Sequence, residues 1–98
     1  MGKIIIRTNG IVTQFWEDNE ANWEFFRYGQ ARDIHWKNVT DKFGKPKVFK
    51  DFNAAMVRYN ERRKHLKTVE LRAEKDWQYH IINEEEFDGL LNSKEEES

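Results

Sequence analysis

The first sixteen residues combine two strand-like runs with a strong turn signal. Lys3–Thr8 is rich in β-branched residues, and Ile11–Trp16 alternates in polarity. Asn9-Gly10 lies between the two runs, and both residue types tolerate the positive φ that a tight hairpin turn requires. The pattern therefore predicts a β-hairpin over residues 3–16.

Two further strands are predicted before the middle of the chain. Trp23–Tyr28 alternates between aromatic and other side chains, and Gly29 ends the run. Asp33–Val39 places Ile34 and Trp36 on one face of a fourth strand. Aromatic residues thus fall on both faces of the predicted sheet. We expect either that both faces are covered or that one is partly open for a partner.

An amphipathic helix is predicted over residues 51–67. Asp51 is a favourable N-cap. Apolar side chains recur on one stripe of the helix at 100° per residue, and Arg63 is the one charged residue within that stripe. The cations in the last turns suit the negative end of the helix dipole. The apolar stripe consists of Phe52, Ala55, Met56, Tyr59 and Leu66.

The rest of the chain predicts a second hairpin and a short helix. Thr68–Ala73 and Trp77–Ile82 both alternate in polarity, and residues 74–76 form the turn between them. Asn83 can cap a final helix, since Glu86 stands at the third position of a capping box. The apolar residues of this helix are Phe87, Leu90 and Leu91.

The element order is ββββ-α-ββ, and the short turns favour antiparallel pairing. The predicted fold class is α+β: a small, mostly antiparallel sheet packed against one amphipathic helix, with a short C-terminal helix. The chain has 98 residues, of which 14% are aromatic, enough for one core. We expect a single folded domain over residues 1–92 and an acidic disordered tail over residues 93–98.

Charge is divided by position along the chain. Residues 1–74 carry 15 Lys and Arg against 10 Asp and Glu, whereas residues 75–98 carry 2 against 8. The net charge of −1 therefore hides a basic body and an acidic C-terminal quarter. Such segregation points to partners or to internal charge pairing rather than to a fold.

Catalytic groups are sparse. The chain has no Cys, and both Ser residues lie in the predicted tail, so an activated Ser or Cys nucleophile is not expected. The three His residues have no metal-binding spacing, and the glycines are too scattered for a phosphate loop. We expect a non-enzyme with no metal and no cofactor. Three consecutive Ile are too few to span a membrane, so a cytoplasmic protein without a membrane partner is expected.

Three surfaces are candidates for binding. Cations on one flank of the helix and just beyond it could neutralise phosphates or meet an acidic protein patch. Large aromatic residues in the predicted strands could anchor a protein or stack on bases. The basic flank comprises Arg58, Arg62, Lys64, His65 and Lys67, and the aromatic surface comprises Trp16, Tyr28 and Trp36.

The third candidate is the acidic segment over residues 83–91. It joins three carboxylates to an apolar triplet at i, i+3 and i+4 spacing, a pattern that can dock in a groove on another protein. It can also fold back on its own domain, where its carboxylates would screen the basic helix and compete with an external polyanion. The residues concerned are Glu84, Glu85, Glu86, Phe87, Leu90 and Leu91.

Part of the chain resembles a WGR domain, a small module of poly(ADP-ribose) polymerases and some bacterial proteins that is associated with nucleic acids. The resemblance lies in Phe15-Trp16-Glu17, Trp23–Gly29 and the aromatic helix segment Ala54–Tyr59. It covers about half of the chain. Tyr28-Gly29-Gln30 stands where the family has Trp-Gly-Arg, so no family site is transferred.

The sequence favours an intracellular binding protein, a small regulator or inhibitor that docks on another protein. Its short, Cys-free, charged and aromatic-rich character is also similar to that of small accessory proteins of phages and mobile elements. The alternative is a nucleic-acid-binding module that uses the basic helix. The sequence leaves the oligomeric state open.

Overall fold

A computed structural model of the chain describes residues 2–18, 23, 35–41 and 43–97, with backbone only for residues 92–97. In chain order, the described elements are three strands, two helices, a 3₁₀ turn over Glu74–Asp76, a fourth strand and a last helix. They are β1 (Lys3–Thr8), β2 (Thr13–Trp16), β3 (Trp36–Asn38), α1 (Phe52–Lys64), α2 (Thr68–Ala73), β4 (Gln78–Asn83) and α3 (Glu84–Glu97).

The four described strands form one antiparallel sheet in the order β3-β2-β1-β4. The predicted hairpin is confirmed: Ile6 lies opposite Phe15, and Gly10 adopts a φ of +87° in the connecting turn. The Asn9 side-chain oxygen accepts hydrogen bonds from the Ile11 and Val12 amides, which fixes the turn locally. The small α+β fold is therefore as predicted.

Helices cover both faces of the sheet. Ile4, Ile6 and Phe15 pack on one face against Phe87 of α3. On the opposite face a second cluster lies beneath α1 and consists of Ile5, Trp16, Trp36, Phe49 and Ala55. Ile4, Ile5 and Ile6 thus contribute side chains to both cores, because successive side chains of a strand point to opposite faces.

The helix α1 begins where the sequence placed it. Asp51 accepts a hydrogen bond from the Ala54 amide at 2.8 Å, which satisfies one of the unpaired donors of the first turn. The helix ends at Lys64, with His65 as its C-cap. Ala55 and Leu66 of the predicted apolar stripe are buried, but Arg62 is buried beside them and Phe52, at the start of the stripe, is 56% exposed.

The predicted second hairpin is wrong. Thr68–Ala73 is the helix α2, in which the Lys67 amide donates to the Glu70 carboxylate at 3.1 Å. Val69 and Leu71 stay exposed, so the alternating pattern buries nothing. The strand β4 pairs instead with the distant β1, and local capping together with good helix formers decides the conformation of α2.

Other strand predictions have mixed outcomes. The predicted strand over Trp23–Tyr28 lies outside the described residues except for Trp23, which is helical. Of the predicted strand Asp33–Val39, the described part is a three-residue strand, β3. The helix α3 extends through Glu97, past the predicted tail boundary at residue 92. The division into a domain and a tail stays a prediction.

Packing of α3 on the sheet makes a stability prediction. Phe87 is 4% exposed, and its ring meets that of Phe15 edge-on at a centroid distance of 5.5 Å. Phe87→Ala should lower the free energy of unfolding by about 3–5 kcal/mol, as loss of a buried aromatic side chain does. Urea titration followed by tryptophan fluorescence measures the change.

The matched control is Val69→Ala, since Val69 is 75% exposed. This control should change the free energy of unfolding by no more than about 0.5 kcal/mol. Equal, small effects of both substitutions would show that α3 does not pack on the domain.

Candidate functional site

The predicted basic flank of α1 turns inward at its centre. Arg62 is 2% exposed, and its Nη2 lies 2.6 Å from the Glu74 Oε1 atom. The prediction that Arg62 offers charge to an external ligand is therefore wrong. The reason is that the flank through Arg62 faces the sheet, where the 3₁₀ turn supplies an internal carboxylate.

Aromatic rings surround the Arg62 guanidinium. Its central carbon lies 5.1 Å from the ring centroid of Trp36, 5.3 Å from that of Tyr79 and 5.9 Å from that of Tyr59. Such rings attract a desolvated cation through their quadrupoles. The ion pair with Glu74 and the aromatic faces together offset the cost of removing this charge from water.

The other members of the basic flank divide into two groups. The Nε atom of Arg58 lies 3.3 Å from the Asp18 carboxylate, and its guanidinium stacks 4.6 Å from the Trp23 ring centroid. His65 meets Trp23 edge-on at 5.9 Å. Lys64 and Lys67 are exposed. The five residues therefore run from the middle of α1 to just past its C-terminal end, and among them only the lysines project fully into solvent.

The predicted aromatic surface belongs mostly to the core. Trp16 is 1% exposed and Trp36 is 8% exposed, so the prediction that these two residues form an open surface is wrong. Trp16 stacks on His35 at 4.5 Å, and the indole Nε1 donates to Asp18. Coverage of this face by α1 explains the burial. Tyr28 lies outside the described residues.

Arg7 is a half-buried charged residue that the sequence analysis missed. It lies between Trp36 and Trp77, with centroid distances of 4.4 and 4.1 Å, and its Nε donates to the Gln14 side chain. The alternation of side chains along a strand could have predicted this position, because it places Arg7 on the same face as Ile5, beneath α1. A small cavity of about 190 Å³ separates Arg7 from Arg62 and α2.

Tyr79 lies opposite Arg7 in the sheet and between the two arginines. Burial is the main cause that raises the pKa of its phenol, and the neighbouring Glu74 carboxylate adds to it, while Arg62 and Arg7 act against it. The phenol therefore stays neutral at physiological pH. This cluster combines two guanidiniums with Glu70 and Glu74, so its charges balance internally and it is not an anion site.

The acidic segment folds back on its own domain. Phe87 lies in the core, and Leu90 and Leu91 pack against it. The interpretation of these three residues as a docking peptide for another protein is therefore wrong, because the sheet already covers them. Glu84, Glu85 and Glu86 remain exposed in the first turn of α3, where carboxylates suit the positive end of the helix dipole.

The strand β4 leaves one edge of the sheet unpaired by any other described strand. The Glu84 amide donates to the Gly2 carbonyl oxygen, so in this antiparallel ladder every second residue of β4 bonds to β1. By that alternation His80 and Ile82 point their backbone groups at β1, whereas Tyr79 and Ile81 point theirs outward. No backbone partner for Tyr79 or Ile81 lies on the outward side among the described residues.

An apolar groove of about 320 Å³ runs beside this edge, between β4 and α1. Its walls are mainly aromatic and aliphatic side chains from both elements. Phe52 is half exposed at the rim, while Tyr59 and Tyr79 contact each other at a centroid distance of 5.3 Å. The lining residues are Ile5, Phe52, Met56, Tyr59, Tyr79, His80 and Ile81.

The edge and the groove together can bind an extended polypeptide. Outward N–H and C=O groups at alternate residues can pair with a further strand, and the groove can receive the side chains that the added strand turns toward α1. The sequence analysis missed this site because it paired β4 with residues 68–73. The sequence feature that could have indicated this site is the lack of any charged residue over Trp77–Asn83.

Among the described residues, no three His, Asp or Glu side chains gather as ligands for a metal ion. The described helices also include none with the length and apolar character needed to cross a membrane. No protein family, curated protein or solved structure matches this chain, so the resemblance to WGR domains gains no support. Function must therefore be inferred from the geometry of the chain itself.

The buried ion pair yields a prediction with a neighbouring control. Arg62→Ala leaves Glu74 without its partner and should lower the free energy of unfolding by about 3–5 kcal/mol. Arg63→Ala, one residue along α1 and exposed, should change it by no more than about 0.5 kcal/mol. Urea unfolding of both variants decides the matter. A larger effect at Arg63 would mean that α1 is rotated relative to the sheet.

Proposed function

We propose that this protein is a non-enzymatic binding protein, a small regulator or inhibitor that docks on another protein. The β4 edge and its groove form the docking surface, and an extended segment of the partner adds to the sheet as a fifth strand. Main-chain hydrogen bonds to Tyr79 and Ile81 would supply affinity, and the fit of apolar side chains in the groove would supply selectivity. The proposal places the protein in the cytoplasm.

One observation carries the proposal: outward backbone groups of β4 lie directly beside an apolar groove. An unpaired strand edge or an apolar groove can each occur alone on a stable domain. Their combination provides both halves of strand addition, the hydrogen-bonding ladder and the side-chain pockets. Phe52, 56% exposed at the rim, gains burial only when something occupies the groove.

Direct nucleic-acid binding by the basic helix has weaker support. Arg62 is neutralised by Glu74, and Arg58 is paired with Asp18 and Glu61. On α1 and just beyond it, Arg63, Lys64 and Lys67 remain exposed, but three cations provide little of the phosphate neutralisation on which such binding depends. The added-strand proposal needs no such charge surplus.

Site-specific photo-crosslinking tests the docking surface in the native host. A benzophenone amino acid replaces Phe52 at the groove rim in one variant. In the control variant it replaces Val57, which is 51% exposed on the same helix but does not line the groove. We expect the position 52 probe to crosslink to one segment of another protein, and the position 57 probe to give no such product.

The crosslinked product should also depend on the groove. Adding Met56→Lys to the position 52 variant should remove it, since Met56 lines the groove and a lysine there disfavours apolar contacts. Identical crosslinking profiles at the two positions, or a product insensitive to Met56→Lys, would contradict the proposal.

A further inference from the structure

We infer that, when no other partner is bound, a second copy of this chain occupies the β4 edge. The two β4 strands pair antiparallel about a two-fold axis, and the four described strands of each copy join into one continuous sheet. The inference rests on the proposed function, because it assigns an occupant to the same docking surface. Another protein would then have to displace the second copy before it could bind.

The edge lacks the features that keep sheet edges from pairing. Proteins protect such edges with charged residues, proline or a bulge. Trp77–Asn83 contains no charged residue and no proline, although 36% of the chain is charged. The register between β1 and β4 also continues without interruption from Lys3 opposite Asn83 to Thr8 opposite Gln78. A straight, uncharged edge of this length is suited to a partner strand of the same kind.

Two-fold symmetry satisfies the outward backbone groups of both copies. With His80 on the axis, Tyr79 of one copy lies opposite Ile81 of the other, and the reverse pair forms at the same time. Each of these pairs exchanges two N–H···O=C bonds in an antiparallel ladder. A self-complementary patch of this kind closes after two copies, so the assembly is a dimer and not a fibre.

The apolar groove gains a covering surface in the same arrangement. An axis perpendicular to the sheet keeps both α1 helices on one side of it. The two β1 strands are then separated by three strand spacings, about 14 Å. The Phe52 and Met56 side chains of the two copies consequently face each other above the paired β4 strands. The half-exposed rim residue Phe52 becomes buried without any change in the fold of either copy.

Sedimentation velocity of the full chain, from low micromolar to near-millimolar concentration, tests the inference. We expect a concentration-dependent shift from 11.9 kDa to twice that mass. Ile81→Pro removes an outward N–H in each copy, so the dimer loses two hydrogen bonds and its dissociation constant should rise about tenfold or more. Circular dichroism establishes that the variant remains folded.

Phe52→Lys is the second variant, and it tests dimerisation through the β4 edge if Ile81→Pro does not fold. It leaves the strand intact and places two like charges above the paired strands, so it should also weaken the dimer about tenfold or more. Val57→Lys is the matched control and should dimerise like the unaltered chain. A mass of one copy at every concentration, or a dimer equally insensitive to Phe52→Lys and Val57→Lys, would overturn the inference.

The outcome is distinguishable from failure of the proposed function. A monomeric chain whose position 52 still crosslinks to another protein would refute self-pairing and leave the docking surface supported. A dimer sensitive to Phe52→Lys, together with no groove-dependent crosslink to another protein, would support self-pairing and contradict docking on a different partner.

Discussion

The pairing of β1 with β4 is the contact on which the rest of the structure depends. It joins the two ends of the described chain and places Ile4, Ile5 and Ile6 at the centre of the sheet, where they supply both cores. It sets Arg7 opposite Tyr79, next to the ion pair under α1. It also makes β4 the outermost described strand. Because only every second residue of β4 bonds to β1, the pairing decides which backbone groups of β4 face outward.

Burial of charge shapes the layer between α1 and the sheet. Arg62 is buried and Arg7 is half-buried on the face beneath α1, and aromatic rings flank both guanidiniums. Removing a guanidinium from water is costly unless a carboxylate and ring faces replace the hydration shell. Glu74 provides that carboxylate from the 3₁₀ turn that follows α2. Among the described aromatic residues, Trp36, Tyr59, Trp77 and Tyr79 serve this purpose.

Local signals in the sequence predicted much of the fold. Asn9-Gly10, the Asp51 cap and the apolar triplet of α3 act within a few residues, and each element appears where it was expected. The conformation of residues 68–73 could not be predicted in this way, because six alternating residues do not by themselves decide between a strand and an exposed helix. The Glu70 cap favours a helix here, although the outward edge of β4 stays open to a further strand.

The candidate site was less accessible from the sequence, since it depends on strand order. Whether the outward groups of Tyr79 and Ile81 are open in a single copy is the central claim, and amide hydrogen exchange of the chain at low micromolar concentration tests it. We expect alternation: slow exchange at His80 and Ile82, which bond to β1, and fast exchange at Tyr79 and Ile81. Equal protection of all four amides in a monomeric sample would contradict the account.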